Sequence, residues 1–177
     1  MFRIFIVILF LSNLCVSAFA AVGCSLDDPD RDVKRLFPDS SGYKATFITL
    51  KEIGGEALQK DVENKLGDKL DSVYENLDVS YAYYAVLKGK DTIGYIHGVN
   101  QKGKFGVLQL VVATDLQGKI QEFYYQKISS PESSKFRAKA FTDQLKDLSL
   151  ADFYKQDGPV SKITDPSAAS SEDFKAT

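Results

Sequence analysis

The run Ser161-Lys162-Ile163-Thr164-Asp165-Pro166-Ser167-Ala168-Ala169-Ser170-Ser171 sets small hydroxyl side chains directly before a candidate helix start at Glu172 and Asp173. Hydroxyls and backbone N–H groups gathered at a helix N-terminus can surround a phosphate, and the helix dipole favours the negative charge. The same composition equally suits a disordered tail. His97 is the only histidine, so a nucleophilic serine has a single candidate base and a multi-histidine metal site is excluded within one chain. A strand histidine at a sheet edge is the simpler reading. The acidic stretch from Asp27 to Asp32 lacks the central glycine and closing glutamate of a calcium loop and reads as a solvated, helix-capping tether. Asp115, closing an apolar strand before a turn, reads as a turn cap. Phosphate-loop, serine-elbow and paired-histidine zinc patterns do not occur, which removes the common phosphotransfer, hydrolase and zinc-protease classes.

Those residues lie behind an export signal. Arg3 precedes the apolar stretch Ile4 to Ala20 and a small-residue tail, the build of a secretory address. Two cleavage readings compete: Ala18-Phe19-Ala20 suits the ordinary peptidase, and Ala20-Ala21-Val22-Gly23-Cys24 resembles the lipobox of bacterial lipoproteins. With its tail the stretch also just reaches the length of an uncleaved membrane anchor. The lipobox reading makes Cys24 the site of lipidation, and diacylation supplies the two-chain attachment that stable anchoring requires. Cys15 falls within the signal, so the exported part holds Cys24 alone and forms no intramolecular disulfide.

Roughly 150 residues remain, enough for one domain that buries about 70% of its unfolded surface. Losing Arg3 leaves 21 Lys+Arg against 24 Asp+Glu, a balance that argues against nucleic-acid binding. The 12 Phe and 9 Tyr point to aromatic core and strand packing.

The elements that must position the candidate residues follow from periodicity. A short helix is expected over Asp30 to Phe37, with Val33, Leu36 and Phe37 as its apolar edge. Tyr43 to Leu50 reads as a strand. Gly54-Gly55 opens a helix on which Leu58, Val62 and Leu66 recur, with Gly67 as its stop. From Ser80 four strands follow in succession, joined by short glycine-bearing turns, which predicts an antiparallel meander. Leu110 to Ala113 is the expected middle of that sheet. After Pro131, Ser133 or Ser134 is expected to cap one helix carrying Phe136, Ala140, Phe141 and Leu145 on a single stripe. Leu148 to Phe153 is a short packed segment. The fold class is therefore α+β, an antiparallel meander of four to five strands with helices packed on it. The organisation is a signal over residues 1–23 with its lipobox ending at Cys24, a tether and first helix over 24–41, and a domain over 42–177. The last helix stops within one turn, as in a truncated chain or one whose end folds onto something else.

The order Leu36-Phe37-Pro38, a long polar helix, IGYIHG, LQLVVATDLQGKIQEFYYQKI, SPESSKFRAKAFTDQLKDLSLADF and VSKITDPSAASS resembles the FMN-binding domain family. That family is found in the C subunit of sodium-translocating NADH:quinone reductase, the G subunit of the Rnf complex, the nitrous-oxide regulator and small exported proteins. Its segment D-A-I-S-G-A-T-L-T-S carries FMN through a phosphoester on the first Thr. With Ile163 on the family's Ile and Ser170 on its final Ser, Ser167 takes the flavin-bearing position and Thr164 matches the first Ser. Asp165 and Pro166 then replace Gly-Ala, where a carboxylate repels phosphate and Pro lacks an N–H.

The resemblance implies FMN held at Thr164, Ser167 and Ser170, covalently at Ser167 or noncovalently; Phe123, Tyr124 and Tyr125 are candidates for its aromatic wall, with at least one of them expected in the core. It implies an electron carrier tethered outside the cytoplasm, on the periplasmic or cell-surface side, beside membrane-associated redox or accessory proteins. The alternative is a cofactor-free accessory or binding lipoprotein that keeps the fold without the flavin. Either is preferred to a hydrolase or transferase, since a serine hydrolase would depend on the distant His97, and haem would have His97 as its one histidine ligand.

Overall fold

The computed structural model describes residues 25–70, 77–154 and 157–177. The signal segment and Cys24 lie outside the described residues, and no helix among those described is long and apolar enough to cross a membrane.

Helix α1, Pro29–Leu36, starts where Pro supplies the first helical position and Asp28 Oδ1 accepts the Arg31 N–H at 3.1 Å. Asp30 and Asp32 stand in its first turn and Lys34 and Arg35 in its last, each complementing the dipole. The segment before it is docked. Leu26 is buried, and its N–H donates to the Tyr84 hydroxyl at 3.1 Å. The stretch expected as a tether is therefore part of the packed domain from Leu26 onward.

Strand β1, Gly42–Thr49, leads through the one-turn helix α2, Leu50–Ile53, into α3, Gly55–Leu66, which ends on Gly67 at φ 70°. Strands β2, Ser80–Lys88, β3, Asp91–Gly103, β4, Gly106–Thr114, and β5, Ile120–Ile128, complete an antiparallel sheet of order β1-β2-β3-β4-β5. The α+β meander expected from the turns is the observed fold. Asp115 caps the last turn, its Oδ1 accepting from the Gln117 and Lys119 N–H groups at 2.9 and 2.8 Å. The strand holding Leu110 to Ala113 lies one place in from the edge; the central strand is β3.

Both sheet faces are covered, which explains why Leu110 to Ala113 reads as an unbroken apolar run. Ala82, Tyr84, Val86, Ile96, Val111, Ala113 and Tyr124 meet Leu26 and Val33 on one face. Leu110, Phe123 and Tyr125 meet Phe136, Phe141, Leu145 and Leu148 on the other. The alternation of strand side chains thus sends Tyr124 to one core and its two neighbours to the other.

The single helix expected after Pro131 is broken into α4, Ser133–Phe136, α5, Lys139–Thr142, and a 3₁₀ turn over Asp143–Leu145. Neither Ser133 nor Ser134 caps it: Glu132 holds the N-cap position without a side-chain bond. Ala138 is extended at ψ 138° and forms the break. On a continuous helix Phe136 and Phe141, five residues apart, would diverge by roughly 140°. The break lets both rings enter the same core, and Ala140 is exposed instead. Helix α6, Leu150–Phe153, follows with a capping box between Ser149 and Asp152. After 3₁₀ turns over Pro159–Lys162 and Ala168–Ser170, the chain closes with α7, Ser171–Lys175. This end packs on the domain: Asp173 Oδ1 accepts the Lys104 N–H at 2.7 Å, and Thr177 and Tyr125 share a hydroxyl bond of 2.6 Å.

Candidate functional site

The loop leaving β5 meets the hydroxyl run 35 to 40 residues later in the chain. The Ser167 hydroxyl donates to Glu132 Oε2 at 3.1 Å, and the Ser167 N–H donates to Asp165 Oδ1 at 2.8 Å. Ser170 is fully buried; its N–H donates to the Ser167 carbonyl at 2.9 Å, and its hydroxyl accepts from Ser130 Oγ at 3.2 Å. Ser130 in turn accepts the Glu132 N–H at 3.2 Å. Ser167 and Ser170 are thus brought together in one closed network. Thr164 stands apart on the surface, its N–H tied to Gln144 Oε1 at 2.8 Å.

Charge decides what this network can hold. Lys135 pairs with Glu132. That ammonium first, and the Ser167 hydroxyl second, hold the Glu132 carboxyl below its ordinary range. Two carboxylates, Glu132 and Asp165, therefore occupy the hydrogen bonds that Ser167 would direct to phosphate oxygens. Helix α7 spans five residues, and Ser170 makes no side-chain cap to it. The expected helix-dipole contribution is correspondingly small. These residues do not fit an FMN phosphoester on Ser167.

Beside the network an open depression of about 550 Å³ is lined by Lys135, Ala138, Phe141, Gln144, Thr164 and Pro166, among others. Ser167 is not part of its wall. Of the candidate aromatic wall, the core role expected for at least one residue holds for all three: Phe123, Tyr124 and Tyr125 are buried. Burial raises the Tyr125 phenol above its usual value, and burial followed by the Asp32 carboxylate raises Tyr124. His97 sits on the central strand rather than an edge, with Nδ1–H donated to the Ala82 carbonyl at 2.8 Å. Burial lowers its pKa, so the ring is neutral at neutral pH.

No local pattern in the sequence marks the approach of Glu132 and Ser130 to Ser167 and Ser170. Their pairing makes a pH prediction. A depressed carboxylate pKa contributes stability that is complete above the unfolded value of about 4.3 and is lost as pH falls through the lower folded value. Hydrogen exchange at the Ser167 and Ser170 amides, corrected for intrinsic rates, is expected to accelerate selectively below about pH 4. Glu132→Gln is expected to remove that pH dependence at the Ser170 amide, whereas the Ser167 amide also answers to Asp165, which accepts its N–H. Equal protection of the two amides at acid and neutral pH in the wild type would count against the linkage.

Comparisons with protein-family models, curated proteins and solved structures return no match to this chain.

Proposed function

We propose that this chain is an exported accessory or binding protein, held at the outer face of a membrane by lipid on Cys24, which keeps an FMN-binding-like fold without a flavin on Ser167. The observation that carries the reading is the engagement of Ser167 by two carboxylates: its hydroxyl by Glu132 and its N–H by Asp165. A phosphodiester there would remove the hydroxyl donor that Glu132 now accepts from and place an anion beside two carboxylates. Leu26 is already packed against the sheet, so a lipid on Cys24 holds the domain within about two residues, or roughly 7 Å, of its anchor. Partners of such a protein lie in or on the same membrane.

A second reading keeps FMN noncovalently and makes the protein an electron carrier. It is favoured by the depression beside Thr164, where Lys135 supplies a cation and Phe141 an aromatic surface.

One measurement separates these. The protein is co-expressed with a flavin transferase and an FMN supply, extracted from membranes, and examined by intact mass and visible absorption. The expected result is a diacyl mass increment lost in Cys24→Ser, with no flavin increment and no colour. A covalent flavin increment lost in Ser167→Ala overturns the cofactor-free reading, and yellow colour released on denaturation establishes the second one. The positive control is a variant with Asp165→Gly, Pro166→Ala and Ser167→Thr, which restores the Gly-Ala-Thr core of the family segment.

A further inference from the structure

The outer edge of β5 is closed at its start, partly occupied at Tyr125 and open between. At its start the Ile120 N–H donates to the Leu148 carbonyl, and the Asp147 N–H donates to the Ile120 carbonyl, each at 2.8 Å. Gln121 is an extra residue between the pairs Thr114–Ile120 and Ala113–Glu122. Because backbone groups alternate in direction along a strand, this bulge shifts the outward-facing positions from Ile120 to Phe123 and Tyr125. The Arg137 guanidinium donates to the Tyr125 carbonyl. Phe123 therefore presents its N–H and C=O as an open rung between Ile120, both of whose backbone groups are taken, and Tyr125, whose carbonyl is taken.

A cavity of about 280 Å³ lies over that rung. Both covering layers line it: Arg35 from α1 on one side, and Arg137, Lys139, Asp143 and Lys146 on the other, with Glu122 from the strand. Arg35 rests on the Tyr124 ring, 3.8 Å from its centroid, which places its charge at the mouth. Lys146 pairs with Asp143 at 3.0 Å, leaving three guanidinium or ammonium groups against Glu122. The lining is net positive, and the volume falls below the usual range of about 300–1,000 Å³ for drug-sized ligands.

We propose that this notch binds the carboxyl-terminal residue of an extended, acidic peptide. The peptide's last N–H donates to the Phe123 carbonyl, its terminal carboxylate accepts the Phe123 N–H, and Arg35, Arg137 and Lys139 neutralise the charge. An adjoining donor and acceptor match an amide followed by a carboxylate, the pairing used in strand addition. A bare anion satisfies the donors but faces the Phe123 carbonyl oxygen. With the groups of Ile120 and the Tyr125 carbonyl already taken, an added strand cannot run the length of β5, which suits a chain terminus rather than a passing segment. This deepens the binding-protein reading, but on residues separate from Ser167, so the flavin measurement and this one fail independently.

The test is a titration of ¹⁵N-labelled protein, followed by amide shifts, with N-acetylglutamate, which carries the amide N–H and both carboxylates. Its α-amide and inorganic phosphate are the comparison ligands. The Phe123 amide is expected to move most, with a Kd of order 1 mM, as befits a ligand of few contacts. The α-amide and phosphate are expected to bind more weakly. Arg35→Gln with Lys139→Gln, both exposed side chains, is expected to weaken N-acetylglutamate roughly fivefold, and added salt to weaken it further. An unmoved Phe123 amide, or affinity unchanged in the double variant, overturns the proposal. Equal binding of phosphate also overturns it, leaving a plain anion site.

Discussion

Phe136→Ala is expected to lower the unfolding free energy by about 3–5 kcal/mol, the usual range for deleting a fully buried ring. Phe136 has no exposed surface and stands edge-on to Tyr125 at 6.0 Å and to Phe141 at 5.7 Å between ring centroids. It is the point where α4 joins the aromatic cluster on the second sheet face. The neighbouring rings are tied elsewhere: Tyr125 bonds Thr177, and Phe141 meets Phe123 and Phe174 edge-on. They cannot readily collapse into the space left behind, which places the effect toward the upper part of the range. Urea unfolding should show a lower midpoint with an unchanged slope, and the melting temperature should fall by roughly 10 °C or more for a chain of this size. Phe136→Leu, which keeps most of the volume, should lose far less. Equal losses for the two variants would place Phe136 outside the packing role assigned to it.

Gly103→Ala is expected to destabilise the domain by about 2–3 kcal/mol, the scale of losing a buried hydrogen bond to a charged group. Backbone conformation is not the cause, because Gly103 lies outside the left-handed region. Space is. A Cβ at this position would lie 2.2 Å from Asp173 Oδ1 and 3.0 Å from Leu108 Cδ1. The carboxylate cannot swing aside freely: Asp173 is buried, and that same oxygen accepts the Lys104 N–H at 2.7 Å. Its Oδ2 has no hydrogen-bond partner among the described residues, so the Lys104 bond holds the carboxylate in place. Displacing it detaches α7 from the β3–β4 hairpin and strains the Tyr125–Thr177 bond. The clean measurement is a double-mutant cycle with Asp173→Ala. The double variant should be only slightly less stable than Asp173→Ala alone, since the severe clash disappears with the carboxylate and only the 3.0 Å approach to Leu108 remains. Additive losses would show that Gly103 acts through something other than Asp173.

Both predictions depend on contacts between distant parts of the chain, and these are what sequence periodicity leaves open. The strands were legible because Gly-bearing turns recur between alternating or apolar runs. Helix α3 was legible because Leu58, Val62 and Leu66 share a face and Gly67 ends it. The helix after Pro131 was misread as one piece. Its apolar residues are nearly helical in spacing, but Phe136 and Phe141 are five apart, and burying both on a single sheet face outweighed continuing the hydrogen-bonded helix. Ala140, placed on the expected stripe, came out exposed for the same reason. The order of strands also escaped local reading: Leu110 to Ala113 is the most apolar segment because both its faces are covered, not because it is central.

The candidate site divides in the same way. Sequence alone identified the hydroxyl run, the Asp165-Pro166 departure from the flavin-attachment pattern, the lone histidine and an α+β meander, since all of these follow from residue types and short spacings. Tertiary structure decided that Ser167 and Ser170 are buried together, that Glu132 and Asp165 take the bonds a phosphate would need, and that cations from two layers frame one open rung of β5. The reason is physical. A hydrogen bond between residues 35 positions apart, or a charge cluster assembled from a first helix and a broken later one, leaves no period in the chain and exists only once the sheet has set their separation.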